Sequence, residues 1–464
     1  MPRQSTKPTF ESIQMELADA NYKIRKEAIR KLMRYYRSEA LEPLLTMLPD
    51  PRSDVRNKAV QALGRLANPR ALPPLLELFS SDRSAGVRAQ TVKTLGNFGD
   101  SSLVPLLSNL LADSYGPMRQ AAARSLGKLK DPSTLPLLLT YLANAEYSEF
   151  YNAVYALSDF GDPCTVEPLL ALMGRPDISY SSWVIADALS RIGEPALPTL
   201  LAILADSARE PAVRACVAQA LGIRKPRPEL FQPLINALKD REPKVREYAA
   251  QALGALQNPA AIDALLPLLD DENKWVCVSA ISALTTFKTP RVVEPLIALL
   301  SSPESNVVDA AAQALGKLGD SRALSPLIEA FFRDPASASW HVTEALCELG
   351  SPAMLEPFLK ALPTSSDAQC MSILRILERF PDQRVTEPVL ELLSTLDLSA
   401  TDWYDWYQRN LRDKIVTLLG ASGDPRAIPT LHWLHRQLPG YMYQTISTAL
   451  ARLGDGESTG YATS

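Results

Sequence analysis

A leucine closes an apolar helical pattern every 31 or 32 residues, and this period constrains the fold more than any other feature of the chain. It stands at Leu32, Leu63, Leu95, Leu126, Leu157, Leu189, Leu221, Leu253, Leu284, Leu315, Leu346, Leu377, Leu419 and Leu450. Every step is 31 or 32 residues except that from Leu377 to Leu419, which is 42. A unit this short cannot bury an apolar face alone, so its copies must stack. The period replaces the two or three globular domains that 464 residues would otherwise suggest.

The parts of the unit recur with it. After the anchor leucine comes a turn such as Gly99-Asp100, Asp131-Pro132 or Gly161-Asp162. A proline then opens an apolar segment, as in Pro105-Leu106-Leu107 or Pro295-Leu296-Ile297. Proline suits the first turn of a helix, where its missing N–H is not needed. A polar turn leads to a second segment, whose apolar positions Val245, Ala249, Ala252 and Leu253 have helical spacing. The glycine that often follows the anchor is expected to end this helix in a left-handed cap. An arginine lies seven residues before many anchors, with an aspartate six before it: Asp19/Arg25, Asp50/Arg56, Asp82/Arg88, Asp113/Arg119 and Asp240/Arg246. The aspartate is expected to cap the second helix, and the pair to bridge within or between units.

This proline, turn-aspartate and arginine pattern resembles the HEAT repeat. Its short form is similar to that of the cyanobacterial E/F-type phycobilin lyases and related scaffold proteins. The resemblance implies an all-α superhelix, a HEAT-like solenoid of about fourteen helical hairpins. Residues 1–11 are expected to be a flexible start, 12–455 one continuous array, and 456–464 a flexible tail. The surplus of the long step is an insert at about 395–407, between two helices of one unit.

Charge and motifs narrow the function. Lys plus Arg number 48 and Asp plus Glu 52, so there is no basic excess of the kind nucleic-acid binders show. Five scattered cysteines read as free thiols in a reducing compartment, and no secretory signal or membrane span is apparent, so the expectation is cytoplasmic. There is no phosphate-binding glycine loop and no HExxH. Deoxyhypusine hydroxylase, an enzyme on similar repeats, binds iron through His-Glu dipeptides, and this chain has none. His432 and His435 are three apart but lack a third ligand in register, so they read as surface residues. No catalytic residue, metal site or cofactor is expected.

The period also serves as a ruler. Positions six and two before the anchor share one face of the second helix. They usually hold polar or small residues, such as Asn57 and Gln61 or Glu247 and Gln251. In HEAT-like arrays the second helices line the concave side, so the resemblance makes this column an inner groove. Two successive units break the pattern with Tyr151 and Tyr155, then Trp183 and Asp187. Tyr147 extends the stripe, Arg124 precedes it, and Trp340 occupies the same column later. These residues form a candidate binding patch, unless the helices are rotated so that the aromatics fill core. A second candidate is the insert, with Trp403, Tyr404, Trp406 and Tyr407 in a loop at the groove rim or in a mini-core with Trp433. The first unit is basic, with Lys23, Arg25, Lys26, Arg30, Lys31, Arg34 and Arg37 expected on one short helix. The column is expected to run from this basic start to an acidic later part at Asp187, Glu247, Asp309 and Glu344.

Together these features point to a non-catalytic scaffold or chaperone-like adaptor that holds a protein partner in the groove. The resemblance implies an alternative, a phycobilin lyase or phycobilisome assembly or degradation factor. Such a protein would bind an open-chain tetrapyrrole and attach it to a cysteine of a phycobiliprotein, using a dry aromatic slot. A nucleic-acid-binding solenoid is third, because the basic residues are confined to the N-terminal part.

Overall fold

A computed structural model describes residues 7–145, 147–174, 182–223, 227–333, 339–395, 406–437 and 442–455. Among them are 28 α-helices joined by short 3-10 turns, with no strand. The chain divides into two compact units, Met1–Pro233 and Leu234–Ser464. Within each unit the helices follow one another as hairpins, in most of which a short first helix is followed by a longer second one. Leu41–Leu45 precedes Ser53–Leu66, for example, and Val293–Leu299 precedes Ser305–Leu318. This is the all-α solenoid architecture that the period implies.

The anchors are the spine of the core. All fourteen leucines are buried, twelve of them completely. Burying a leucine side chain contributes roughly 1.5–3 kcal/mol, so a period of anchors is a period of stabilisation. Around Leu284, the residues one, four and eight before it (Ala283, Ala280 and Val276) are buried as well. Each second helix packs on the second helix of the next hairpin within its unit, and most first helices back their own partners.

The proline turns are built as expected and extended by one element. Asn68, Asp131, Asp162, Asn258 and Asp424 each accept the N–H two residues on, which starts a 3-10 turn at the following proline. The first helix of the hairpin follows directly.

Two expectations about helix ends are corrected. The glycine after the anchor does not end the helix in a left-handed cap. Gly64, Gly127, Gly254 and Gly316 lie inside their helices, which run on to Leu66, Leu129, Leu256 and Leu318. The left-handed residue comes next, at Ala67, Lys130, Gln257 and Gly319. The glycine is there for contact: a Cβ on Gly127 would stand 2.1 Å from the Ala156 carbonyl oxygen, and one on Gly254 2.8 Å from the Ala283 Cα. The turn aspartate is likewise not the helix cap. Asp50 and Asp82 accept the N–H of Arg52 and Ser84, the residues that themselves precede the helix. The aspartate therefore stabilises the turn, two residues before the cap.

Its carboxylate serves the neighbouring hairpin. Arg25 Nε and Nη2 donate to Asp50 Oδ2 and Oδ1 at 2.7 and 2.9 Å, and Arg25 Nη1 donates to the carbonyls of Asp19 and Ala20 at 2.8 and 3.0 Å. Arg56 repeats the arrangement on Asp82 at 2.7 and 2.8 Å. In the second unit Arg246 does so on Asp271, with both bonds at 2.7 Å. The arginine thus binds its own turn through carbonyls and the next turn through a carboxylate, so each pair is a rung between hairpins. Where the turn has Asn144 in place of aspartate, Glu149 of the next helix receives Arg119 instead.

The start of the chain is held further back than residue 12. Phe10–Leu17 is helical, Thr9 caps it, and the Tyr36 hydroxyl donates to the Pro8 carbonyl at 2.9 Å. The tail from 456 lies outside the described residues, as do 396–405 of the insert. The insert does fall between the two helices of one hairpin, Thr386–Thr395 and Trp406–Ala421.

Candidate functional site

The candidate patch belongs to the first unit and is carried by the second helices Gly116–Leu129, Tyr147–Phe160 and Ser182–Ile192. The register holds through the aromatic stretch. Phe150, Ala153, Val154 and Leu157 are at most 1% exposed and supply the core face. The helix is therefore not rotated, and Phe150 fills the space that the rung arginine takes elsewhere. Tyr151 and Tyr155 are left half-buried on the adjoining face. On the next helix Trp183 is 54% exposed. Its ring centroid lies 6.4 Å from that of Tyr151, with the planes inclined by 43°. An indole of this size in water is a loss of apolar burial that a solenoid gains nothing from by itself.

Tyr155 is the centre of a polar cluster beside this pair. The Arg124 guanidinium lies 5.4 Å from its ring centroid and the Arg191 guanidinium 4.9 Å. Arg124 pairs with Asp159 at 2.9 Å, and Arg191 reaches Asp159 at 3.7 Å and Asp187 at 3.3 Å. Burial and a hydrogen bond with Asp187 push the Tyr155 phenol above its ordinary pKa. Lys128, one turn along from Arg124, has its pKa lowered by burial and then by the Arg124 charge. The arrangement is an aromatic platform edged by guanidinium groups whose carboxylate partners hold them in place. It offers stacking, cation–π and hydrogen-bonding contacts, the chemistry of recognition.

Two members of this cluster, Asp159 and Arg191, escaped the sequence reading. Each lies two residues after an anchor, Leu157 or Leu189. The helical face therefore continues from six and two before the anchor to two after it. The signal was in the register but was cut off by the assumption that the helix stops at the glycine position.

The other candidates fall elsewhere. Tyr147 is the first residue of its helix, and its side chain lies outside the described residues. Trp340 belongs to the second unit, where it is 56% exposed under the Arg375 guanidinium, 3.7 Å from its ring centroid. Arg375 also pairs with Glu344 at 2.8 Å. Trp403 and Tyr404 lie outside the described residues. Trp406 and Tyr407 are not in a loop: they open the helix Trp406–Ala421, their side chains again outside the description. Trp433, suggested as their partner in a mini-core, is 47% exposed.

The expected charge gradient is largely spent on local pairing. In the basic helix, Arg25 is in its rung, Lys31 pairs with Glu16 at 2.6 Å, and Arg30 pairs with Glu27 at 2.6 Å. Of the acidic positions, Glu247 pairs with Lys244, Asp187 with Arg191 and Glu344 with Arg375. His432 meets Asp455 at 2.6 Å, and His435 stacks on Tyr443. Among the described residues no three His, Cys, Asp or Glu side chains are placed to hold a metal ion. All five cysteines are free thiols, and no single described helix is long and apolar enough to cross a membrane.

Comparison with known proteins follows the repeat. Solved structures that match the chain include Kap121p, 16% identical over 96% of this chain and 56% of that one, TM-score 0.45. Importin beta is 13% identical over 96% of this chain and 66% of that one, TM-score 0.44. Human deoxyhypusine hydroxylase is 23% identical over 62% of this chain and 98% of that one, TM-score 0.26. The chain thus spans about half the length of Kap121p. No curated protein matches it in sequence. The model of HEAT repeats matches residues 12–92, 73–150, 197–284 and 263–346, more than half of the sequence, and the chain belongs to the HEAT-repeat family.

Proposed function

We propose that this chain is a non-catalytic, cytoplasmic interaction scaffold that holds a segment of a partner protein on the second-helix face of its first unit. The observation that carries the reading is Trp183, 54% exposed beside Tyr151 at 6.4 Å, on a face that holds polar or small residues in most other hairpins. Exposed tryptophan and tyrosine edged by arginine are the residue types that dominate binding energy at protein interfaces. The rigid stack of helices beneath them holds the platform in shape before a partner arrives, which lowers the ordering cost of binding.

The test compares partners retained from native lysate by wild type and by a Trp183→Ala/Tyr151→Ala variant, quantified by mass spectrometry. The reading expects at least one partner to fall by roughly tenfold or more, the effect of losing about 1.4 kcal/mol at an aromatic anchor. An identical, equally abundant set would remove the site.

The bilin alternative, with a phycobiliprotein as partner, calls for an enclosed slot and a free carboxylate. Here the indole is open and Asp187 is engaged with Arg191, which favours the scaffold. Titration with phycocyanobilin separates the two, since a sharpened red absorbance band lost in Trp183→Ala would favour the lyase.

A further inference from the structure

The rung series breaks off in the second unit after Arg246, where Cys277, Val308, Ser339 and Cys370 follow at the arginine position, and a cavity lies at the first of these places. In the hairpin that ends at Leu253, Arg246 Nη1 donates to the carbonyls of Asp240 and Arg241 at 2.9 and 3.2 Å, while Nε and Nη2 hold Asp271 of the next hairpin. One hairpin on, the register puts Cys277 at the arginine position and Ser302 at the aspartate position. Both ends of the rung are shortened together, and neither short side chain spans the gap. The Cys277 thiol turns back to the Leu269 carbonyl at 3.1 Å. The result is a cavity of about 650 Å³ whose lining includes Asp271, Glu272, Trp275, Cys277, Ser302 and Glu304.

The groups that grip Arg246 have counterparts here. Asp271 and Glu272 stand in their hairpin where Asp240 and Arg241 stand in theirs, six and five residues before the rung position. Among the described residues no hydrogen bond reaches either of their carbonyl oxygens. In place of the aspartate across the gap stands Glu304, two residues beyond Ser302 and paired with Lys274 at 2.9 Å. Asp270 also faces the cavity. Four acidic residues therefore line it, with the Asp271 and Glu272 carboxylates bonded to Arg246 and that of Glu304 to Lys274. The Cys277 thiol, raised to about 11 by burial and by Asp270 and Asp271, adds no charge of its own at neutral pH. Trp275 stands at the mouth, 49% exposed.

We infer that this slot receives an arginine side chain from a partner protein, whose guanidinium takes the place that Arg246 occupies one hairpin earlier. The planar fork donates to the Asp271 and Glu272 carbonyls from one edge and turns another edge to Glu304. Its aliphatic stem lies along Trp275. Arginine suits the slot better than lysine because two carbonyls and a carboxylate in different directions match five fixed N–H donors, not one point charge. The slot lies in the second unit and does not depend on the aromatic patch of the first.

Isothermal titration of the full chain with the capped tripeptide acetyl-Ala-Arg-Ala-amide tests this, with citrulline and lysine versions as controls. Citrulline keeps the shape and removes the charge. The arginine peptide is expected to bind saturably, and the citrulline peptide roughly tenfold or more weaker, the loss of a charge-assisted hydrogen-bond set. Cys277→Arg/Ser302→Asp rebuilds the rung inside the chain and is expected to abolish binding while raising the thermal midpoint. Glu304→Lys, on a half-exposed rim residue that leaves the fold intact, is expected to weaken binding by a similar factor. Absence of saturable binding at millimolar arginine peptide would overturn the inference. So would equal affinity for the citrulline peptide, or unchanged binding in both variants.

Discussion

Arg25 and Asp50 are 25 residues apart, and they meet in a two-bond ion pair at 2.7 and 2.9 Å with side chains only 10% and 4% exposed. The pair joins one hairpin to the next. Removing one partner strands the other, and a buried ion left alone typically costs about 3–5 kcal/mol. Asp50→Ala is therefore expected to lower the urea midpoint strongly. Arg322→Ala, which breaks exposed contacts to Glu294 and Asp320, is expected to cost less than about 1 kcal/mol. Equal midpoints for the two variants would show that the rungs are not what couples the hairpins.

Acid should uncouple the first unit through the same carboxylates. Burial raises the pKa of Asp50 and Asp82, but hydrogen bonds from Arg25 or Arg56 and from the turn N–H outweigh it, and both are held below the ordinary carboxylate value. A carboxyl depressed in the folded state stabilises above its unfolded pKa, and that contribution is lost as pH falls through the folded value. Stability from these rungs is expected to be flat above pH ~5 and to decline below pH ~4. Asp50→Asn/Asp82→Asn should flatten that decline, read as the thermal midpoint against pH.

The two kinds of glycine predict different penalties. A Cβ on Gly127 meets backbone of the next helix at 2.1 Å, so Gly127→Ala forces two helices apart. A cost of about 1–3 kcal/mol or more is expected, as for overpacking. A Cβ on Gly319 meets nothing within 4 Å, but its φ is +70°. Gly319→Ala is expected to cost only about 1–2 kcal/mol, the strain of a left-handed residue. Chemical denaturation orders the two, and Gly127→Ala should also lose amide protection along both helices.

Neighbouring aromatics should separate stability from recognition. Phe150 is fully buried, and Phe150→Ala is expected to cost about 3–5 kcal/mol. Trp183→Ala, at an exposed site, is expected to stay within about 0.5 kcal/mol of wild type. A large loss of thermal stability in Trp183→Ala would assign that indole to packing.

Much of the architecture was legible in order and period. The anchor leucines, the proline turns and the buried alanines follow from spacing alone, because burial repeats with the helix and is decided within each unit. The candidate site was legible in part. Tyr151, Tyr155, Trp183 and Asp187 share one face, as positions six and two before the anchor require. Asp159 and Arg191 were missed because the helix runs past the position after the anchor, Ser158 and Ser190 in these hairpins, and only the close approach of Gly127 to Ala156 shows why other hairpins have glycine there.

What the sequence by itself determined is the stack: 31-residue hairpins whose apolar stripe has no partner except its neighbour. What the tertiary structure decided is where each charge ends and where space is left. Arg56 could have met Asp50 of its own turn or Asp82 of the next, and the sequence holds both. The answer depends on how adjacent helices are offset, and the offset is set by contacts between residues about one repeat apart. The same offset makes Cys277 and Ser302 a cavity instead of two unremarkable small residues.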